Sequence, residues 1–148
     1  MKIIQKNLAI FYYTVFILAV FLMFGGYFLN KNGLIVTNNL FIDNFKLIII
    51  AYMLIIIPLS FKNFSVKTKK IAQITNETEK FSKYLRLAKI RISLISIIFL
   101  IGIIAFFIVN VKDFLYISAI GVVALIFCKP TINKIENDLF NEQLTINN

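Results

Sequence analysis

Residues 8–29 run for 22 positions without a charged side chain. No other feature narrows the possible folds as much. As an α-helix this run would reach about 33 Å, enough to cross a hydrocarbon core of about 30 Å. Thirteen of its residues are Leu, Ile, Phe or Val. At roughly −0.3 to −0.6 kcal/mol each, these favour insertion by about 4 to 8 kcal/mol. The run exceeds the roughly 7–15 residues of a signal-peptide core, and Phe24-Gly25-Gly26-Tyr27 lacks a small-x-small cleavage pattern. It is therefore expected to remain as a membrane anchor, with Gly25-Gly26 as a local break near its outer end.

Three more stretches continue the pattern. Residues 47–61 are apolar but only 15 long. Extending them back to position 42 takes in Asp43 and Lys46, which share a helix face and can pair at the outer rim. Pro58 is expected to kink or loosen this helix near its inner end. Residues 92–109 supply 18 uncharged positions, and residues 114–128 supply 15. The last stretch reaches about 22 Å, so local thinning of the bilayer or snorkelling by Lys112 and Lys129 is expected. Residues 110–113 leave room only for a tight antiparallel hairpin, with Asp113 as the expected N-cap of the fourth helix.

Composition removes the soluble alternative. Hydrophobic residues make up 59% of the chain and charged residues 16%, against roughly 45–50% and 25% in ordinary globular domains. Such a chain cannot cover itself with polar groups, and lipid removes that need. Of the 16 basic residues, only Lys31, Lys46 and Lys112 fall in the connections on one side; the rest lie in residues 1–7, 62–91 and 129–148. By the positive-inside rule those segments are cytoplasmic. The expected architecture is all-α: one domain, 1–148, a four-helix transmembrane bundle with spans at about 8–29, 42–61, 92–109 and 113–128. Both termini are expected inside. The abundance of Ile, Lys, Asn and Phe looks like the coding bias of an AT-rich bacterium, which points to a bacterial inner membrane. The sequons at Asn63 and Asn76 fall on the inner side and are expected to be unused.

The connection 62–91 holds nine basic and two acidic residues. Lys67, Lys69, Lys70, Lys80, Lys83, Arg86, Lys89 and Arg91 are candidates for contact with anionic lipid head groups or with a partner protein. Nucleic acid is not expected. The charges follow membrane topology, and Phe81 and Tyr84 fall on or beside an apolar stripe rather than forming a stacking platform. That stripe runs through Ile71, Ile74, Thr78, Phe81, Leu85 and Ala88 to Ile92 and Ile95, alternating three and four. It predicts a cytoplasmic helix capped at Asn76, with Glu77 and Glu79 in its first turn, continuous with the third span. Residues 66–74 read as a separate short amphipathic piece lying on the membrane. Pro130 should end or bend the fourth helix. Beyond it, Ile132, Ile135 and Leu139 form a second stripe, and Glu136, Asp138 and Glu142 make the tail a charge-complementary mate for the loop helix.

Much chemistry is missing. Apart from Asp43, Lys46 and Asp113 at their rims, the spans hold no Asp, Glu, Lys, Arg or His. Proton relays and ion pathways use such groups. Small four-helix multidrug transporters need a buried acid in the first span, which is absent. Paired-thiol chemistry is excluded by the single cysteine, Cys128. Histidine dyads are impossible and no aspartate cluster offers a metal site, so no catalytic residue, metal or cofactor is expected. Tyr12, Tyr13, Thr14, Tyr52, Ser93, Ser96, Tyr116 and Ser118 read as interhelical hydrogen-bonding and interface groups. Gly102 and Ala105 on the third span, with Gly121 and Ala124 on the fourth, suggest a close packing seam within that hairpin or between copies of the chain.

Gly25-Gly26-Tyr27-Phe28-Leu29, Ile57-Pro58-Leu59-Ser60-Phe61, the basic run to Arg91 and Phe127-Cys128-Lys129-Pro130 resemble a group of small four-span bacterial inner-membrane proteins with no known activity. The resemblance covers most of the chain and gives no residue a role. The expectation is a non-enzymatic accessory or scaffold subunit of a membrane assembly. The alternatives are a small permeation protein, holin-like or a minimal transporter, or a membrane-surface sensor acting through the basic loop.

Overall fold

The computed structural model describes residues 2–31 and 39–140. These form α1 (Lys2–Lys31), α2 (Asn39–Ala72), α3 (Glu77–Val109), α4 (Lys112–Phe127) and α5 (Ile132–Leu139), with no strand among the described residues. By length and composition α1, α2 and α3 can each cross a membrane. α4 and α5 qualify together as a fourth, with a bend of 68° between them. That bend falls at Lys129-Pro130-Thr131, where the proline ring removes a backbone donor and clashes with a continuing helix. Glu142 and the rest of the tail beyond Phe140 lie outside the described residues.

α3 is the central element, packed against α1, α2 and α4. Its Ile92, Ile95, Ile98 and Ile103 are all 3% exposed or less. α3 and α4 approach most closely because two glycines face the contact. A Cβ on Gly102 would lie 2.9 Å from Ser118 Cβ and 3.0 Å from the Phe114 carbonyl. A Cβ on Gly121 would lie 3.0 Å from the Phe99 backbone nitrogen. Ser118 Oγ donates across the gap to the Phe99 carbonyl at 3.2 Å. Ala105 and Ala124 are also buried. The outward faces stay apolar: Phe21, Phe24 and Phe28 on α1 are each more than 70% exposed. In water such a face would drive association; against lipid it has no such cost.

The structure departs from the sequence expectations in three places. First, residues 66–74 are not a separate surface piece. α2 runs unbroken through Pro58 to Ala72. Phe64, Thr68, Ile71 and Ala72 are buried along one face, a stripe that continues α2 and leaves no apolar side to lay on a membrane. Second, Gly25-Gly26 is not a break. α1 continues through both to Lys31, because Gly26 lets the helix close on α3, where a Cβ would collide with the Phe107 ring. Third, Asp113 is not the N-cap of α4. The cap position is Val111, in extended conformation. The turn is made one residue earlier by Asn110, left-handed at φ 56°, a conformation Asn tolerates better than most residues. This leaves Asp113 in the first turn of α4, where its charge complements the helix dipole. The Asn76 cap does form, with Oδ1 accepting from the Thr78 and Glu79 backbone N–H groups.

Candidate functional site

Beyond their most apolar stretches, α2 and α3 continue side by side to a short turn at residues 73–76. This gives the bundle a basic end built of helix rather than loop. α5 closes it. Ile135 and Leu139, two residues of the tail stripe, are at most 1% exposed in the main core cluster, which also holds Phe64, Tyr84 and Ala88. Polar contacts fix the position. Tyr84 Oη donates to Asp138 Oδ2 at 2.9 Å. Lys134 Nζ donates to the Phe127 carbonyl at 2.6 Å, satisfying an acceptor at the end of α4 that has no partner within the helix. Phe81 meets Phe140 edge-on at 6.4 Å between ring centres, and Lys80 Nζ lies 5.2 Å from the centre of the same Phe140 ring.

The eight candidate basic residues divide into three groups. Lys67, Lys69, Lys70, Lys83 and Arg86 face outward. Lys89 is half-buried, its Nζ 5.7 Å from the centre of the Phe11 ring. Lys80 and Arg91 turn inward and are 4% and 6% exposed, so neither offers its charge to a surface. Four of the outward set come together. Lys67, Lys70, Lys83 and Arg86 line a recess of about 390 Å³ between α2 and α3. A second recess of about 210 Å³, with Ile56, Leu59 and Leu94 in its wall, shares Lys67, Leu87 and Ile90 with the first. The α2–α3 groove thus runs from a mostly apolar recess, which Arg91 also lines, beside the most apolar lengths of the helices, to a basic one at the helical tip.

Arg91 projects from the α3 face that also carries Ala88 and Ile95. Its Cζ lies 3.5 Å from the centre of the Phe64 ring and 5.8 Å from that of Phe61. A guanidinium stacks well on such faces. Its Nε, and the Oγ1 of buried Thr68, have no hydrogen-bond partner. Both residues line a polar pocket of about 280 Å³ with Phe61, Phe64, Ser65, Lys134, Asn137 and Asp138. Burial, then the nearby Arg91, lower the affinity of the Lys134 ammonium for its proton. Burial, then the Asp138 carboxylate, hold the Tyr84 hydroxyl protonated well above its ordinary range.

The opposite end carries the expected rim pair, with a third member. Lys46 Nζ lies 3.5 Å from Asp43 and, closer, 2.9 Å from Asp113 on α4. Among the described residues no group of three or more His, Cys, Asp or Glu side chains could hold a metal ion.

Phe61, Phe64, Thr68 and Lys134 are the site residues that sequence reasoning missed. They carry a signal: Phe61, Phe64, Thr68 and Ile71 follow helical spacing across residue 61, the expected end of the second span. No family model matches the chain, no curated protein matches it in sequence, and no solved structure matches its fold.

Proposed function

We propose that this chain is a non-enzymatic accessory or scaffold subunit of a membrane assembly. It sits in a bacterial inner membrane with both termini and the basic end in the cytoplasm, and it engages its partner through that end. One observation carries the reading: α2, α3 and α5 build a packed platform outside the most apolar lengths of the chain, held by the buried Leu139, Ile135 and Tyr84. A loop needed only to signal topology would require no tail locked beneath it. Affinity purification in a mild detergent tests the proposal. The expected result is a reproducible co-purifying membrane protein, lost when Lys67, Lys70, Lys83 and Arg86 are all changed to Gln. A lone monomer in every preparation overturns it. A reporter fused after Asn148 should be active only in the cytoplasm.

The graded groove supports a second reading, a membrane-surface sensor that takes an anionic lipid along α2 and α3. Loss of vesicle dependence in the same Gln variant, with the partner retained, would favour it over the scaffold. The permeation alternative draws no support from a bundle centre filled by Ile92, Ile95, Phe99 and Ile103.

A further inference from the structure

The polar pocket beneath α5 has a composition that its packing does not explain. Three helices each send a donor-bearing side chain to it: Thr68 from α2, Arg91 from α3 and Lys134 from α5. Arg91 and Thr68 are more than nine-tenths buried, and Arg91 Nε and Thr68 Oγ1 are without partners. A buried donor left unpaired costs about 1–3 kcal/mol, and more when charged, so two such donors in one pocket are not a neutral accident. The guanidinium packs on the Phe64 ring, with Cζ 3.5 Å from its centre, and Nε is left without a hydrogen-bond partner. Arg91 and Lys134 outnumber the one carboxylate lining the pocket, Asp138, which accepts from Tyr84.

We infer that this pocket binds a phosphate group, with Arg91 and Lys134 supplying charge and Thr68 and Ser65 supplying hydroxyl donors. A tetrahedral oxyanion suits donors arriving from three helices better than a planar carboxylate does, and guanidinium is the side chain best matched to it. The cavity of about 280 Å³ admits a phosphate with room to spare. The phosphate can belong to a lipid head group or be free in water, and the chemistry that recognises it is the same. The pocket shares Arg91 and Phe64 with the inner recess of the α2–α3 groove but is lined by none of Lys67, Lys70, Lys83 and Arg86, and it does not depend on the scaffold reading.

The test is thermal unfolding of the full chain in a sugar-based, phosphate-free detergent, followed by circular dichroism. One arm titrates inorganic phosphate against sodium chloride of equal ionic strength. The other titrates a short-chain phosphatidic acid against the matching uncharged diacylglycerol. Saturable stabilisation is expected in at least one arm, about 3 °C or more at ten times the half-saturating concentration. A response to inorganic phosphate identifies a water-soluble ligand; a response to phosphatidic acid alone identifies a lipid head group. Arg91→Met should abolish the shift and Thr68→Val should weaken binding several-fold. If Arg91→Met does not fold, Thr68→Val and Lys134→Met carry the test. A shift that chloride reproduces, no shift in either arm, or an undiminished shift in the variants overturns the inference.

Discussion

The two ends of the bundle solve the problem of a cation near an apolar core in opposite ways. At one end Lys46 remains partly exposed and is held by two carboxylates, Asp43 from its own helix and Asp113 from α4. At the other, Arg91 is sunk to 6% exposure against the rings of Phe64 and Phe61, with one of its nitrogens unsatisfied. The cavities differ in the same sense. The recess at the Lys46 end, about 310 Å³, is lined only by apolar residues such as Phe41, Phe45 and Ile104, whereas the Arg91 pocket sets hydroxyl, amide and charged groups beside the rings of Phe61 and Phe64. A compensated charge at the rim ties helices together and asks for nothing more. An incompletely compensated one, kept buried, marks a place where something else is accommodated.

This contrast can be broken most forcefully by removing the cover from the basic end. Leu139→Asp places a charge at a site with 0% exposure. It should cost at least the roughly 2–5 kcal/mol of deleting a buried leucine side chain. Limited proteolysis should then cut near Pro130 while α1 to α4 survive; equal resistance to wild type would show that α5 contributes nothing. A smaller effect is expected at Tyr84. Losing a hydrogen bond to a charged acceptor costs about 1.5–3 kcal/mol, so Tyr84→Phe should lower the unfolding midpoint in proportion. The pH dependence has a definite sign. The folded hydroxyl titrates above its ordinary value of 10.0, so its contribution is complete below pH 10 and fades as the pH rises past it, because the unfolded chain ionises first. The Phe variant should therefore lose less stability between neutral pH and pH 11 than wild type. The smallest effect belongs to the opposite rim. Lys46→Ala removes two partly exposed pairs, so its midpoint change should be the least of the three and should disappear at high salt. A large, salt-independent loss there would erase the distinction between the ends.

How much was legible in the sequence depended on whether a signal was local. The long apolar helices, the Asn76 cap, the break at Pro130 and the tail stripe all rest on spacing or on a single residue's backbone preference, and all four features appear in the structure. The tail also packs against the basic end, with Ile135 and Leu139 buried, Asp138 accepting from Tyr84 of α3, and α2 as its main neighbour. What escaped depended on contacts between distant segments. Gly26 looked like a break because its neighbour on α3, Phe107, lies some eighty positions away. Asp113 looked like a cap because its true partner, Lys46, lies on another helix. Arg91 was counted with the surface cations because its charge fits a basic run. Its position seven residues after Tyr84 and four before Ile95 places it on the inward stripe, and only the aromatic faces of α2 make that burial tolerable.

The unbroken passage of α2 and α3 from their most apolar lengths into the basic end has a mechanical consequence. Residues 62–72 alone prolong α2 by about 16 Å of stiff rod at 1.5 Å per residue. A turn at that boundary would absorb rocking of the lower shaft, and neither helix is interrupted by one there. A change in the lean of either helix, of the kind a thicker bilayer imposes on a helix that spans it, would therefore move the tip and the clasped tail with it.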